Sequence, residues 1–506
     1  MTGALSRLQA AFVERARPLV PFAVLLLMLS AMVLAPLMAI GKGYRPMDDA
    51  LRHCGKALSG RPWTEILVLG PAYTLDHHQG WHVLLEALHG VGFTAPGLLT
   101  FSVVGLFLVA LALPLLLLPR AEYWLAALAV LLFVWPDASA RFLLGRPYLI
   151  QTAVTLLICL RWEDFERPRL PWGLAWTLLL LTAWSAWCRS TWYLYPLPPL
   201  FLWLAGRRRS GWLTLGICMA GVLIGACLTG HPWGYFREST QHLLDATQRG
   251  VPSWLLVTEF QPRAPGLQGI MLVGGLLLWR GVKGLPLRAA VVDPSFFLLL
   301  GSALLGFHSV RFALDFGMPA LLAWMTRQIE VLAGSAPALR DERGWPRLGL
   351  ALGAALVFGA SATADLGARY SSGIDVKTLR AETDGEWLPG AGGILYSTSM
   401  RIFFDTFYEN PKAPWRYVLG FEPGMMTAAN REVYEGIAQS DNDARFYRPW
   451  VRAMRPEDRL ILEAGKESPS VPGLEWHNVR GGLWSGRLPA APPTPAEGSA
   501  EVDPGD

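Results

Sequence analysis

The run LVPFAVLLLMLSAMVLAPLMAI, residues 19–40, carries no charge, and GKGYRPMDDALRH, residues 41–53, follows it at once. A stretch of about 20 apolar residues spans the roughly 30 Å hydrocarbon core of a bilayer. The apolar core of a secretory signal is shorter, about 7–15 residues. The first run therefore reads as an uncleaved anchor behind Arg7, Arg15 and Arg17. A second charge-free run, GLLTFSVVGLFLVALALPLLLL, occupies 97–118. Of the 506 residues, 52% are hydrophobic and only 17% charged. Soluble chains carry about 25% charged residues. These numbers exclude an ordinary soluble enzyme, and the net charge of +4 gives no reason to expect a nucleic-acid partner.

Further apolar runs lie near 121–136, 144–160, 171–187, 192–205, 211–229, 267–281, 291–307, 312–328 and 347–363. The expected fold is a polytopic α-helical membrane protein of about 11 transmembrane helices. Alternate connectors, such as RWEDFERPRLPW, GRRRSG and RGVKGLPLR, are rich in Lys and Arg. The positive-inside rule then places the N-terminus in the cytoplasm of a multi-pass inner (cytoplasmic) membrane protein. An odd count carries everything after 363 to the other side. Cys54, Cys159, Cys188, Cys218 and Cys227 form no CxxC and no disulfide framework, with a Cys54–Cys188 bond left open.

Three regions follow from this layout: a membrane module over 1–363 with a first outward loop at 41–97, a soluble extracytoplasmic α/β domain over 364–482, and a disordered tail at 483–506. GGILYS, WRYVLGF, RLILEAG and GLWSGRL read as strands; SMRIFFDTFYEN and MMTAANREVYEGIAQS read as helices. Their alternation is the α/β signal. PAAPPTPAEGSAEVDPGD at the end is rich in Pro, Ala and acid, a disordered composition.

The outward segments hold the chemistry. Asp48 and Asp49 follow the first span, and an N-cap on the helix ALRHCGKALSG accounts for only one of them. That helix is expected on the membrane surface, with Arg52, His53 and Lys56 off its apolar stripe. In LDHHQGWHVLLEALHG, residues 75–90, His78, His82 and Glu86 share a helical face at a spacing that suits a metal. An interfacial helix anchored by Trp81, with Val83, Leu84, Leu85, Ala87 and Leu88 as its apolar side, explains the pattern better. Asp76, His77 and His78, just before it, are placed to meet a phosphate or hydroxyls. GFHSVRFALDFGMP, residues 306–319, puts His308, Arg311 and Asp315 on one face of a helix entering the bilayer. Arg311 is either an ion-pair partner or a bidentate phosphate ligand. Arg146 and Arg189 join the same edge, together with Asp137 and Arg141.

This ordered set resembles the GT-C superfamily of membrane glycosyltransferases, which use polyprenyl-phosphate-linked sugars. By that resemblance the first-loop carboxylates, Asp49 and Asp48, would include the catalytic base. HSVRF keeps His308, Arg311 and Phe312 of a late-loop HKExRF motif found in one branch, but has Ser309 and Val310 where that branch has Lys and Glu. The resemblance implies a transferase of the cell envelope. Its partners would be a polyprenyl-phosphate-linked sugar donor, a glycan, lipid or protein acceptor, and membrane lipids. No cofactor is specified, and a divalent cation stays open. A lipid-linked glycan polymerase or ligase, a transporter, and a scaffold with an outer (periplasmic) binding domain are the competing expectations.

Overall fold

The computed structural model describes residues 14–46, 49–247, 261, 266–341, 343–364 and 379–490. Two compact units emerge: Met1–Trp63 with Ala72–Val376, and Thr64–Pro71 with Lys377–Asp506.

The described residues of the first unit fold as helices joined by turns and loops. Among the described residues, four helices are long and apolar enough to cross a membrane: Glu14–Gly41, Ala95–Leu117, Arg208–Leu228 and Trp345–Thr363. The other runs also fold as helices but are shorter or carry charge. Glu122–Val134, Trp172–Cys188, Leu267–Val282 and Pro294–Gly306 are apolar helices of 10–17 residues. The run at 192–205 is broken into a 3₁₀ turn, Trp192–Leu194, and the eight-residue helix Leu197–Leu204. Pro196, Pro198 and Pro199 account for the break, since proline removes a helical donor. Tyr148–Glu166 is buried along nearly its whole length. Its polar groups are absorbed inside the bundle, as where the Thr191 hydroxyl donates to Gln151 Oε1 at 3.3 Å.

Charges at the helix ends are paired, as burial demands. Glu122 is fully buried and accepts from Arg347 Nε at 2.9 Å and Arg120 Nε at 2.5 Å. Asp293 caps Pro294–Gly306 by accepting from the Ser295 amide at 2.8 Å, and its other oxygen takes Arg327 at 3.0 Å. All five cysteines are free.

Two expectations for the first loop need correction. The helix Asp49–Ser59 does not lie half-exposed on a surface. Residues Ala50 through Ala57 are all buried, Arg52, His53 and Lys56 included, because helices Gln79–Gly90 and Ala95–Leu111 pack around it. Nor is Trp81 an exposed anchor: it is 1% exposed and stacks on Phe101 at 6.1 Å. The buried face of Gln79–Gly90 is Trp81, His82 and Leu85, while Val83 is exposed.

The second unit is built on a five-stranded sheet in the order β2-β1-β3-β5-β4. β1 (Ile394–Tyr396) runs parallel to β2 (Arg416–Tyr417) and β3 (Arg459–Glu463). β4 (Glu475–Arg480) and β5 (Leu483–Arg487) continue it antiparallel. Helices Met400–Glu409 and Ala428–Gln439 connect the early strands. Every strand and helix expected here is present. The sheet also extends past residue 482: β5 pairs on both sides, so the ordered domain overruns the boundary drawn for the tail. Residues 491–506 lie outside the described residues. Segment 64–71 joins this sheet unit through bridges Leu67–Tyr417 (parallel) and Leu69–Met426 (antiparallel).

Candidate functional site

Asp49 opens the helix Asp49–Ser59, and its carboxylate faces two guanidiniums. Arg52 Nε, one turn on, lies 3.0 Å from Oδ1, and Arg146 Nε lies 3.5 Å from Oδ2. Arg146 follows Gly145, whose positive φ of 63° lets the chain turn tightly, and whose missing side chain lets Ala50 and Val103 approach. Asp48 lies outside the described residues.

A second carboxylate stands close by. Asp315, 1% exposed, sits in the π turn Ala313–Gly317. It takes Arg141 Nη2 at 2.5 Å, Arg311 Nε at 3.3 Å and Arg189 Nη1 at 3.5 Å. Arg141 and Arg189 also lie over the Tyr148 ring, at 4.0 and 5.6 Å from its centroid. The two groups share one field. Burial works against ionising Asp49, yet Arg52, Arg146, Arg189 and Arg141 together hold its carboxyl below the ordinary range. Arg52 and Arg146 face Asp49, and Arg141, Arg189 and Arg311 face Asp315. Arg311 is thus not Asp315's private partner, as a reading of residues 306–319 alone suggests. His308 is exposed, and none of these hydrogen bonds involves it.

The residues before helix Gln79–Gly90 are committed to structure. Asp76 Oδ1 accepts from the His78 amide at 3.0 Å, and Oδ2 accepts from His82 Nδ1 at 2.5 Å. Burial disfavours the Asp76 anion, but His82 and the His78 amide outweigh it and hold the carboxyl far below its usual value. Both Asp76 oxygens are thus engaged within the loop. His77 Nδ1 pairs with Ser190 Oγ at 2.6 Å, and its Nε2 lies 3.9 Å from Glu238. Burial, helped by His242, pushes His77 down to about 4. It is a neutral ring at pH 7. Burial also pushes His78 well down, with His53 and Arg52 adding to the effect.

The metal reading of His78, His82 and Glu86 finds no geometry. His82 is spent on Asp76 and His53, and Glu86 Oε1 lies 3.6 Å from Lys56 Nζ. Among the described residues, no group of three or more His, Cys, Asp or Glu is arranged around a metal position.

Several contributors carried no local signal. Glu238, 2% exposed on helix Pro232–Thr247, accepts from the Thr74 amide (3.2 Å), the Thr74 hydroxyl (2.8 Å) and the Leu75 amide (3.1 Å). It thereby ties down the chain that leads to His77. Ser190 and His53 are equally invisible as site residues in the linear pattern.

The same π turn contributes to an apolar cavity of about 420 Å³, which Asp315 itself does not line. Ala313 and Gly317 of the π turn form one wall, with Met318, Leu321, Phe307 and Ile270 among the others. One helical turn thus supplies both the carboxylate that gathers the arginines and part of the cavity wall. No protein-family model matches the chain, and no curated protein is significantly similar to it.

Proposed function

We propose that the protein is a membrane glycosyltransferase that moves a sugar from a polyprenyl-phosphate donor to an acceptor hydroxyl at the extracytoplasmic face. The observation that carries this reading is that Asp315, which gathers three arginines, shares one π turn with Ala313 and Gly317, which line an apolar cavity. Guanidiniums bind a phosphate through charge-assisted, often bidentate hydrogen bonds, while the cavity takes the first prenyl units. Arg311, Arg189 and Arg146 hold the phosphate and stabilise it as it departs. Asp49, kept ionised beside them, takes the proton of the attacking hydroxyl. His77, His78 and Asp76 shape the loop that presents the acceptor; their hydrogen bonds fit that role better than direct contact with the donor.

The proposed topology has about eleven crossings, a cytoplasmic N-terminus and an extracytoplasmic sheet domain. Support comes from the second unit. Residues 64–71 of the first loop and 377–506 belong to one compact body, which requires an even number of crossings between them. Ten apolar runs follow the first span in the sequence, but 192–205 folds as a turn and an eight-residue helix, so it crosses only together with a neighbouring segment. The density of arginine favours one second reading, a lipid-linked glycan polymerase or ligase whose donor carries a diphosphate.

The test uses the full chain in lipid nanodiscs with three probes: polyprenyl monophosphate, polyprenyl diphosphate and the uncharged polyprenol. Monophosphate should bind at least about tenfold more tightly than polyprenol, and Arg311→Met should remove that preference. Equal binding of phosphate and alcohol sinks the reading. Diphosphate preferred over monophosphate moves it to the polymerase or ligase. With a polyprenyl-phosphate-hexose donor, Asp49→Asn should bind normally yet release no polyprenyl phosphate.

A further inference from the structure

Three ionisable side chains of the first loop stand in a hydrogen-bonded row that the chemistry so far leaves unused. Asp76 Oδ2 meets His82 Nδ1 at 2.5 Å, and His82 Nε2 meets His53 Nδ1 at 2.8 Å. Each bond holds one proton, and the ionised carboxylate can only accept. His82 Nδ1 therefore carries a hydrogen and, in the neutral ring, its Nε2 is an acceptor. His53 Nδ1 must then donate to it, which leaves His53 Nε2 as a bare lone pair. That atom is buried and has no hydrogen-bond partner among the described residues. A buried, unsatisfied imidazole nitrogen is expensive and calls for a use. His53 is also four residues after Asp49, on the same face of the helix Asp49–Ser59 and one turn further in.

We propose that His53, His82 and Asp76 form a proton relay that drains the proton Asp49 takes from the acceptor hydroxyl. This rests on the reading of Asp49 as base. The hydroxyl oxygen bonds to the anomeric carbon while the polyprenyl phosphate leaves with the electron pair of the broken C–O bond. The hydroxyl proton goes to Asp49 and then to His53 Nε2. His53 Nδ1–H passes to His82 Nε2, and His53 ends neutral in its other tautomer. His82 ends as an imidazolium between the Asp76 carboxylate and His53 Nδ1. One proton enters the relay and one positive charge is stored; Asp49 recovers its anion.

Electrostatics gives the direction. His53 faces Arg52 on its own helix, Arg146 from the turn after Leu143, and the rings of His78 and His82, at 4.7 and 5.0 Å between centroids. Burial and these cations push its pKa well down, so it does not hold a proton for long. His82 faces Asp76, His53, His78 and the edge of Trp63, 5.7 Å away. Helix Ala95–Leu111, which also packs on Asp49–Ser59, brings no ionisable side chain. Within the row, Asp76 is the one anion, so positive charge moves away from the arginines toward it.

The experiment reads histidine tautomers by nitrogen NMR in the full chain, labelled at histidine, in nanodiscs without any sugar donor. On acidification the row should take up one proton, and His53 should switch from Nδ1–H to Nε2–H at the midpoint of that uptake. Asp76→Asn should move that midpoint down by about one pH unit or more, while Asp76→Glu, which keeps the carboxylate, should preserve the switch. Retention with Glu separates a relay from misfolding. If His53 stays Nδ1–H throughout, the relay is overturned. A coupled switch together with full transfer by Asp49→Asn would instead remove the base and leave the row standing without its input. With polyprenyl-phosphate-hexose as donor, Asp76→Asn should lower kcat about tenfold or more at unchanged KM. Its acid limb should move to lower pH. An unchanged kcat and pH profile overturns the relay's part in turnover.

Discussion

Asp315 illustrates how a single residue differs from its sequence neighbourhood. Four residues separate it from Arg311, which suggests a closed pair, but the carboxylate is shared with Arg141 and Arg189. The consequences of removing each partner therefore diverge. Asp315→Asn keeps the shape but leaves two buried guanidiniums, Arg141 and Arg189, and the half-buried Arg311 without their common anion. Stripping a buried charge of its partner costs about 3–5 kcal/mol. Arg311→Met deletes one contact of three and should cost about 1–2 kcal/mol, while the aspartate keeps the other two. Thermal unfolding in detergent ranks the two: equal melting temperatures would show that Asp315 has no sharing role. Lysine at 311 should restore stability but only part of the polyprenyl-phosphate binding, since it lacks the planar fork.

Among elements, the packing of helix Gln79–Gly90 decides whether His82 reaches His53. A side chain at Gly80 would stand 2.5 Å from the Trp187 ring on helix Trp172–Cys188, whereas Gly90 has open space around it. Gly80→Ala should thus destabilise by about 1–3 kcal/mol through overpacking. Gly90→Ala should be near neutral. Identical melting curves for the two variants would contradict the close helix contact. The legibility of the chain divides along the same line. β1, β2, β3 and β5 were readable because each holds β-branched or aromatic residues in short apolar runs. β4, EWHNVR, is an edge strand whose residues are intermediate or exposed, so its composition is that of a loop. Segment 64–71 makes only two bridges and has no period to detect. At the site, Asp49, Arg146, Arg189 and Arg311 were found from charge placed against apolar runs. Glu238 and the His53–His82 bond were not, because their partners lie 163 or 164 and 29 residues away.

For the whole molecule, the strongest constraint is that one sheet unit draws on both ends of the helical region. Leu69 bridges Met426, and Leu67 bridges Tyr417, although the intervening chain includes nearly every apolar helix. A membrane cannot pass between strands that share hydrogen bonds, so the topology proposed above brings both ends of that chain out on one side. Leu69→Cys with Met426→Cys tests this directly. Antiparallel bridge partners stand about 4.5–5.5 Å apart at Cα, within disulfide range. In intact cells the pair should oxidise, and peptide mapping should recover one crosslinked peptide; the single variants should give none. Reporter fusions after Gly206 and after Leu488 should then report cytoplasm and exterior. A double variant that folds but never crosslinks, with both fusions on the same side, would overturn the even count. The placement of Asp49 and Arg311 at a common face would fall with it, because both positions depend on the same sequence of crossings.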